Sequence, residues 1–371
     1  MINVIRKFLQ KIFKIASYFF FLKIYGKIET SIESNSDERI KVESININKD
    51  LNYKIYKINS GRLYTDRVHE TAVILENKII KGPSFQLRDN NNSEITKNSV
   101  FQKGTPRKLK KLNGSVLSLL TGGGGNNNYW HWLYDVLPRL ELCKKVKKLD
   151  EIDFFLFPNL ENKFQIESLE ILNLPSHKLL SSKKFRHVQT KQLIVTNHPY
   201  ILSNDSHKDA QKIPEWIAKW LKEKFLSNIN SIQESSPKKI YIDRADSKSN
   251  SAKFRSIINE DEVKNFLVKK DFTLVRLEEL SFDKQVYYFN NADFVIGLHG
   301  AGFANLSFCR ENTKVIEFRM NETGKVMENL ARINNLKFDS ITSKTLSHNY
   351  AKQLGHIEIP LNLLEKKIYD I

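Results

Sequence analysis

The chain has 371 residues, 40% of them hydrophobic, 27% charged and 11% aromatic, enough for two domains with full cores and unlike a collagenous or broadly disordered protein. A formal net charge of +17 raises nucleic acid as a partner. However, the basic residues are spread along the whole chain without an RRM, helix-turn-helix or zinc-finger signature, so no nucleic acid is expected and anionic ligands or an anionic membrane surface are retained. Cys143 and Cys309 form no Cys-x-x-Cys pair and no secretory signal is recognised, which points to a reducing compartment without a disulfide scaffold or zinc site.

Residues 1–27 place Ile5, Phe8, Leu9, Ile12, Phe13, Ala16 and Phe19 at helical spacing, with Lys7, Lys11 and Lys14 on another face. The uncharged run between Lys14 and Lys23 is too short to span a bilayer, which needs about 20 apolar residues. Two readings stay open: a basic amphipathic helix lying on a membrane, or a helix packed on the domain. Residues 30–50 are polar and read as loop. Short strands are predicted over 53–58, 71–75, 78–80 and 116–120, with 86–113 as exposed connection. From Tyr129 the period becomes helical, interrupted by Pro138; a strand over 152–157, a helix over 162–172 and a strand over 192–196 follow.

After a polar stretch at 199–212 comes a helix over 213–225 and a linker-like SIQESSPKK, which places the domain boundary near 200–237. The second half alternates strands (239–243, 272–277, 293–297, 314–318) with helices, one capped by Asn259 with Glu262 three residues on, one capped by Ser281, and one from about 325. That alternation specifies βαβ units, a parallel sheet and an α/β fold.

Two patches carry chemistry. FVIGLHGAGFANL, residues 294–306, puts glycines where a strand ends and a helix begins, so that backbone N–H groups can approach a phosphate and His299 can add a hydrogen bond. The order is neither GxGxxG nor GxSxG. Arg244, just past one strand end, and Arg255, before a helix, add ionised donors for a diphosphate; Glu317 ends the next strand, where a carboxylate could accept from a ribose. The second patch is TGGGGNNNYWHWLYDVLPRL, residues 121–140. His131 and Asp135 are four apart on one helical face, as a general base and its orienting carboxylate would be. Asn128 suits a helix cap, and the amide-rich, aromatic-flanked loop, with Asn128 and Trp130, suits sugar binding.

Together YIDR, FRSIINEDEV, EELSFDKQVYYFNNADFVIGLHGAGFANLSFC and KVIEF, with RLYTD and NYWHWLYDVLPRL earlier, resemble glycosyltransferase family 61 over roughly residues 60–320. The family includes plant xylosyl- and arabinosyltransferases, animal O-linked N-acetylglucosaminyltransferases and bacterial enzymes of surface-polysaccharide synthesis, capsule and lipopolysaccharide among them. The resemblance implies a GT-B fold, two Rossmann-like domains facing a central cleft. Residues 1–29 would be the basic segment, 30–212 the acceptor-side domain and 213–371 the nucleotide-sugar-binding domain. It also implies inversion, with Arg244, Arg255, His299, Gly300, Ala301, Gly302 and Glu317 on the donor diphosphate and ribose, and His131, Asp135, Asn128 and Trp130 facing a glycan or lipid-linked acceptor. Either His131 or Asp135 would be the base. No Asp-x-Asp triplet occurs, so the expectation is a nucleotide-sugar co-substrate, UDP-linked first, and no required metal or cofactor. The sequence lacks the luminal anchor and paired cysteines of eukaryotic members, so a cytoplasmic bacterial enzyme, peripheral on the inner membrane face, is expected. The alternative is a non-catalytic family member that binds a glycan or a partner transferase.

Overall fold

The computed structural model describes residues 2–48, 51–67, 70–84, 95–122, 127–203, 205–244, 255–321, 323–344 and 355–371. The chain divides into two compact units, Met1–Asn162 with Leu174–Asp209, and Lys163–Asn173 with Ala210–Ile371. The helix Lys163–Ile171 belongs to the second unit, where Glu167 Oε2 accepts a hydrogen bond from the Phe282 backbone N–H at 2.7 Å. A single cut at 212/213 does not describe this crossing of the chain.

In the first unit, β1 (Thr30–Ile32), β2 (Ile40–Asn48), β3 (Leu51–Asn59), β4 (Arg62–Arg67), β5 (Glu70–Leu75), β6 (Lys78–Ile80), β7 (Lys110–Ser118), β8 (Phe154–Phe157), β9 (Leu179–Ser181) and β10 (His187–Thr196) form one mixed sheet. β10 is its hub. β3 and β4 pair antiparallel along one edge, and β7 pairs parallel along the other, followed by β8 and β9 in the same sense. β8 is apolar throughout, FFLF, and β7 and β10 turn apolar and buried in their C-terminal halves, where the sheet is covered. Val116, Leu156, Val188 and Leu193 meet in one core cluster.

Residues 30–50, expected as loop, instead hold β1 and β2. Ile40 and Val42 alternate with charged residues and pack on the core beside Ile32, while β2 pairs antiparallel with β3. Alternation across a half-wet edge strand was concealed by the polar composition. β7 likewise begins at Lys110, inside the expected connection, with the Lys110 ammonium 4.2 Å from the Phe185 ring centre. Residues 86–94 of that connection lie outside the described residues.

The N-terminal helix Ile2–Tyr25 docks by its last two turns only. Tyr18 Oη donates to the Gln102 carbonyl at 3.2 Å, and Tyr25 Oη accepts from the Leu109 N–H at 2.8 Å with its ring edge-on to His187. Residues 5–16 are exposed all round.

The second unit contains β11 (Lys239–Ile242), β12 (Arg255–Ile257), β13 (Thr273–Val275), β14 (Phe294–Leu298), β15 (Lys314–Met320), β16 (Lys337–Ser343) and β17 (Gly355–Ile357). Five form a parallel sheet in the order β13-β11-β14-β15-β16, and β12 pairs parallel with β17. Numbered by chain order within that sheet, the arrangement is 2-1-3-4-5, a doubly wound topology whose ligand position lies between the first and third strands, here β11 and β14. Asn259 does not close a capping box. Its amide donates to the Ile359 carbonyl at 2.9 Å and its Oδ1 accepts the Ile359 N–H at 3.0 Å, because long-range pairing with the C-terminal segment takes priority over the local cap. Ser281 makes no side-chain cap either, its hydroxyl engaging Asp283 instead.

Candidate functional site

In the second unit the glycine loop leaves the carboxyl end of β14 at the topological switch point. Gly297 is in register with Ile242 of β11 on one side and Glu317 of β15 on the other, and a methyl group on it would lie 3.1 Å from Ile242 Cβ. Any side chain there would require Ile242 to give by a few tenths of an ångström. The short helix expected after the loop is Ala301–Phe308, of 3₁₀ type. Its residues from Phe303 to Phe308 are all buried, Asn305 and Ser307 included, and a Cβ at Gly302 would meet Leu277 at 2.9 Å.

Three of the expected donor-side residues converge on His299. Its carbonyl accepts from Arg244 Nη1 at 2.9 Å and from Arg255 Nη1 at 2.6 Å. Its ring Nδ1 is hydrogen-bonded to Glu317 Oε1, and its N–H bonds back to the Phe318 carbonyl at 2.8 Å. Glu317 is fully buried and its second oxygen lies 3.8 Å from Arg319 Nη1, so its carboxylate is committed to orienting the imidazole. Burial, followed by the charge of Arg244 and opposed by Glu317, brings Arg255 down to about 10; burial also lowers Arg244. Two guanidinium groups held together against both desolvation and mutual repulsion would be relieved by an anion beside them. Arg255 stands in β12 rather than in a pre-helix loop, and residues 245–254 between the two arginines lie outside the described residues.

Gly300 has its own role in this arrangement. A methyl group there would lie 2.7 Å from Arg244 Nη1, the mobile end of a flexible side chain. Gly300→Ala is therefore expected to fold with unchanged stability while displacing Arg244, weakening nucleoside-diphosphate binding about tenfold, the lower range for one charged hydrogen bond. Parallel thermal melts and calorimetric titrations check both halves.

In the first unit the candidate residues gather at the carboxyl ends of β7, β8 and β10. Asn128 Oδ1 accepts the His131 N–H at 3.3 Å and so starts the helical segment Tyr129–His131; residues 123–126 of the glycine-rich run lie outside the described residues. Pro138, with no N–H to give, resets the register rather than breaking the helix. Trp132–Val136 forms a π-turn closed by the Leu137 N–H on the Trp132 carbonyl at 3.1 Å, and Pro138 opens the next helix. Trp130 is half-buried, its ring 4.4 Å from that of Tyr134.

Asp135 is completely buried and is the hub. His131 Nδ1 lies 2.7 Å from its Oδ2, Tyr200 Oη donates to its Oδ1 at 2.7 Å, and His198 Nε2 faces Oδ2 at 3.4 Å. His198 Nδ1 accepts the Tyr200 and Ile201 N–H groups at 3.3 and 3.0 Å, which leaves the His198 proton on Nε2, directed at Asp135. Arg139 clamps the same corner, donating to the Asp135 carbonyl at 2.8 Å and the Thr196 carbonyl at 3.1 Å. Burial would raise the Asp135 carboxyl, but the His131 and His198 rings hold it well below the usual carboxylate range. Burial pushes the His198 pKa down, whereas at His131 the Asp135 carboxylate outweighs burial and the pKa is raised. His131 keeps a partly exposed ring, and its Nδ1 is the nitrogen turned to Asp135, so Nε2 of this side chain, alone of the pair, can meet a substrate hydroxyl.

The sequence reading missed His198, Tyr200 and Arg139. The signal available was VTNHPY, a histidine and a tyrosine immediately past an apolar strand that ends beside the helix. An amide cluster adjoins them, with Asn159 Nδ2 donating to Asn127 Oδ1 at 2.8 Å and Asn162 Nδ2 to the same oxygen at 3.1 Å. Among the described residues, no group of three or more His, Cys, Asp or Glu is arranged to hold a metal ion.

This chain is similar to the EGF domain-specific O-linked N-acetylglucosamine transferases of Drosophila melanogaster, 31% identical over 107 residues, and of Mus musculus, 32% identical over 111 residues. These matches cover 28% and 29% of this chain, and it spans only about a fifth of the length of those relatives, 20% and 21%. The glycosyltransferase 61 family model matches residues 129–316, a stretch that runs from the Asn128-capped helix through the glycine loop to β15, and the chain belongs to that family.

Proposed function

We propose that this protein is an inverting glycosyltransferase of the GT-B type, its first unit acting on the acceptor and its second holding a nucleotide-diphosphate sugar without a required metal. The observation that carries the reading is the convergence of Arg244 and Arg255 on the His299 carbonyl at the switch point of a doubly wound sheet. A diphosphate is the ligand class that matches two fixed guanidiniums, glycine-loop amides and an oriented imidazole. Given the printed activity of the animal relatives, an N-acetylhexosamine linked to UDP is the first donor to try.

In this mechanism His131 Nε2 takes the proton of an acceptor hydroxyl while Asp135 stabilises the imidazolium that forms. The acceptor oxygen bonds to the anomeric carbon from the face opposite the nucleotide. The bond from that carbon to the diphosphate breaks, and its electron pair stays on the departing diphosphate, where Arg244 and Arg255 compensate the charge. The acceptor is a hydroxyl on a glycan or lipid-linked saccharide.

A thermal-shift screen of nucleoside diphosphates and nucleotide sugars in EDTA tests the reading, because a ligand of the folded state raises the midpoint by mass action. A diphosphate-dependent rise, followed by transfer or hydrolysis of the same donor, is expected. Strict dependence on a divalent ion removes the metal-free step, and donor binding without turnover on any hydroxyl favours a binding-only family member.

A further inference from the structure

We infer that the helix Ile2–Tyr25 holds the protein on an anionic bilayer surface, lying in the plane of the interface. At 3.6 residues per turn, Ile5, Phe8, Leu9, Ile12, Phe13 and Phe19 form one stripe, while Tyr18, Phe21, Leu22 and Tyr25 lie on the side about 180° away. The second group is where the helix meets the protein: Tyr18 and Tyr25 make the hydrogen bonds described above, and Leu22 lies against Gly104. The apolar stripe therefore faces away from the body. Phe8, Phe13 and Phe19 are 62%, 73% and 63% exposed, a contiguous patch rather than scattered surface residues.

Charge selects the occupant. Arg6, Lys7, Lys11, Lys14, Lys23 and Lys27 precede the first acidic residue, Glu29. A second copy of this helix would bring the same positive charges and no acid to meet them. An anionic lipid surface supplies the opposite sign at headgroup level and acyl chains for the stripe. No helix among the described residues is long and apolar enough to cross a membrane, which fits a helix that lies on the bilayer. Lys7, Lys11 and Lys14 emerge from the side opposite the stripe, where long stems let the ammonium groups reach the headgroups. This surface is independent of the donor and base residues, so it stands or falls separately from the glycosyltransferase reading.

The test is co-sedimentation of the full chain with phosphatidylcholine vesicles, with and without phosphatidylglycerol, at low and high salt. Binding is expected only with the anionic lipid, and partly reversed by salt, which shortens the screening length from about 10 Å at 0.1 M to about 3 Å at 1 M. Removing the charges in the triple variant Lys7→Gln, Lys11→Gln, Lys14→Gln should lower partitioning about a hundredfold, at roughly fivefold per basic residue. The double variant Phe8→Asp, Phe13→Asp should abolish binding with an unchanged melting temperature, since those side chains are exposed. Equal binding to neutral vesicles, no loss in either variant, or a lipid-free dimer that the Phe variant dissociates would overturn the assignment.

Discussion

Replacing His131 with alanine is expected to lower turnover about 10²-fold or more while leaving nucleoside-diphosphate affinity within about twofold, the signature of a group used only in the chemical step. The pH profile adds a readout that a structural role would not move. A base works unprotonated, so kcat/KM should rise roughly tenfold per pH unit and level off at the His131 pKa, which Asp135 holds above the ordinary 6.5. In Asp135→Asn the carboxylate is gone and burial alone acts on the ring, so the acid limb should move to lower pH. An unmoved limb assigns the titration to another group. Asp135→Ala is expected to be far worse for folding. It strips the acceptor from buried Tyr200 and His198 and from the half-buried His131 together, and loss of one partner from a buried charged cluster costs about 3–5 kcal/mol. Urea denaturation compared with the Asn variant measures that difference.

Arg255→Ala is expected to weaken UDP binding by about 1.5–3 kcal/mol, roughly 10- to 150-fold, by calorimetry with EDTA present. The unliganded protein should be no less stable. Burial and the neighbouring Arg244 both oppose the Arg255 charge, and His299 keeps Arg244 as a donor to its carbonyl. A lowered melting temperature with unchanged UDP affinity would make Arg255 a structural residue. Arg255→Lys should recover only part of the affinity, because a point charge cannot reproduce the planar fork.

The second unit was largely legible in the sequence because its strands are short continuous apolar runs separated by amphipathic helices. The outline of βαβ units, the position of the glycine loop and the neighbourhood of Arg244, His299 and Glu317 could be read from that spacing. What resisted reading depended on partners far away in sequence. β2 is a polar-looking edge strand, recognisable as a strand only beside β3. His198 and Tyr200 become functional neighbours of Asp135 only because β10 and β7 run parallel. Glu317 could be placed near a ligand, but its commitment to His299 needed the register of β14 and β15.

Arg255 reaches His299 from β12, and β12 is paired with β17 from Arg255 against Gly355 to Ile257 against Ile357. A nascent chain leaves the ribosome N-terminus first, at about 5–20 residues per second. Arg244, His299, Glu317 and the five-stranded sheet through Ser343 are all translated before the strand that pairs with β12. The strand that carries the second guanidinium is therefore paired only once Gly355 to Ile357 has been made, after the sheet and the glycine loop. The order of synthesis thus sets the pairing of β12 with β17 after every strand of the five-stranded sheet has been made.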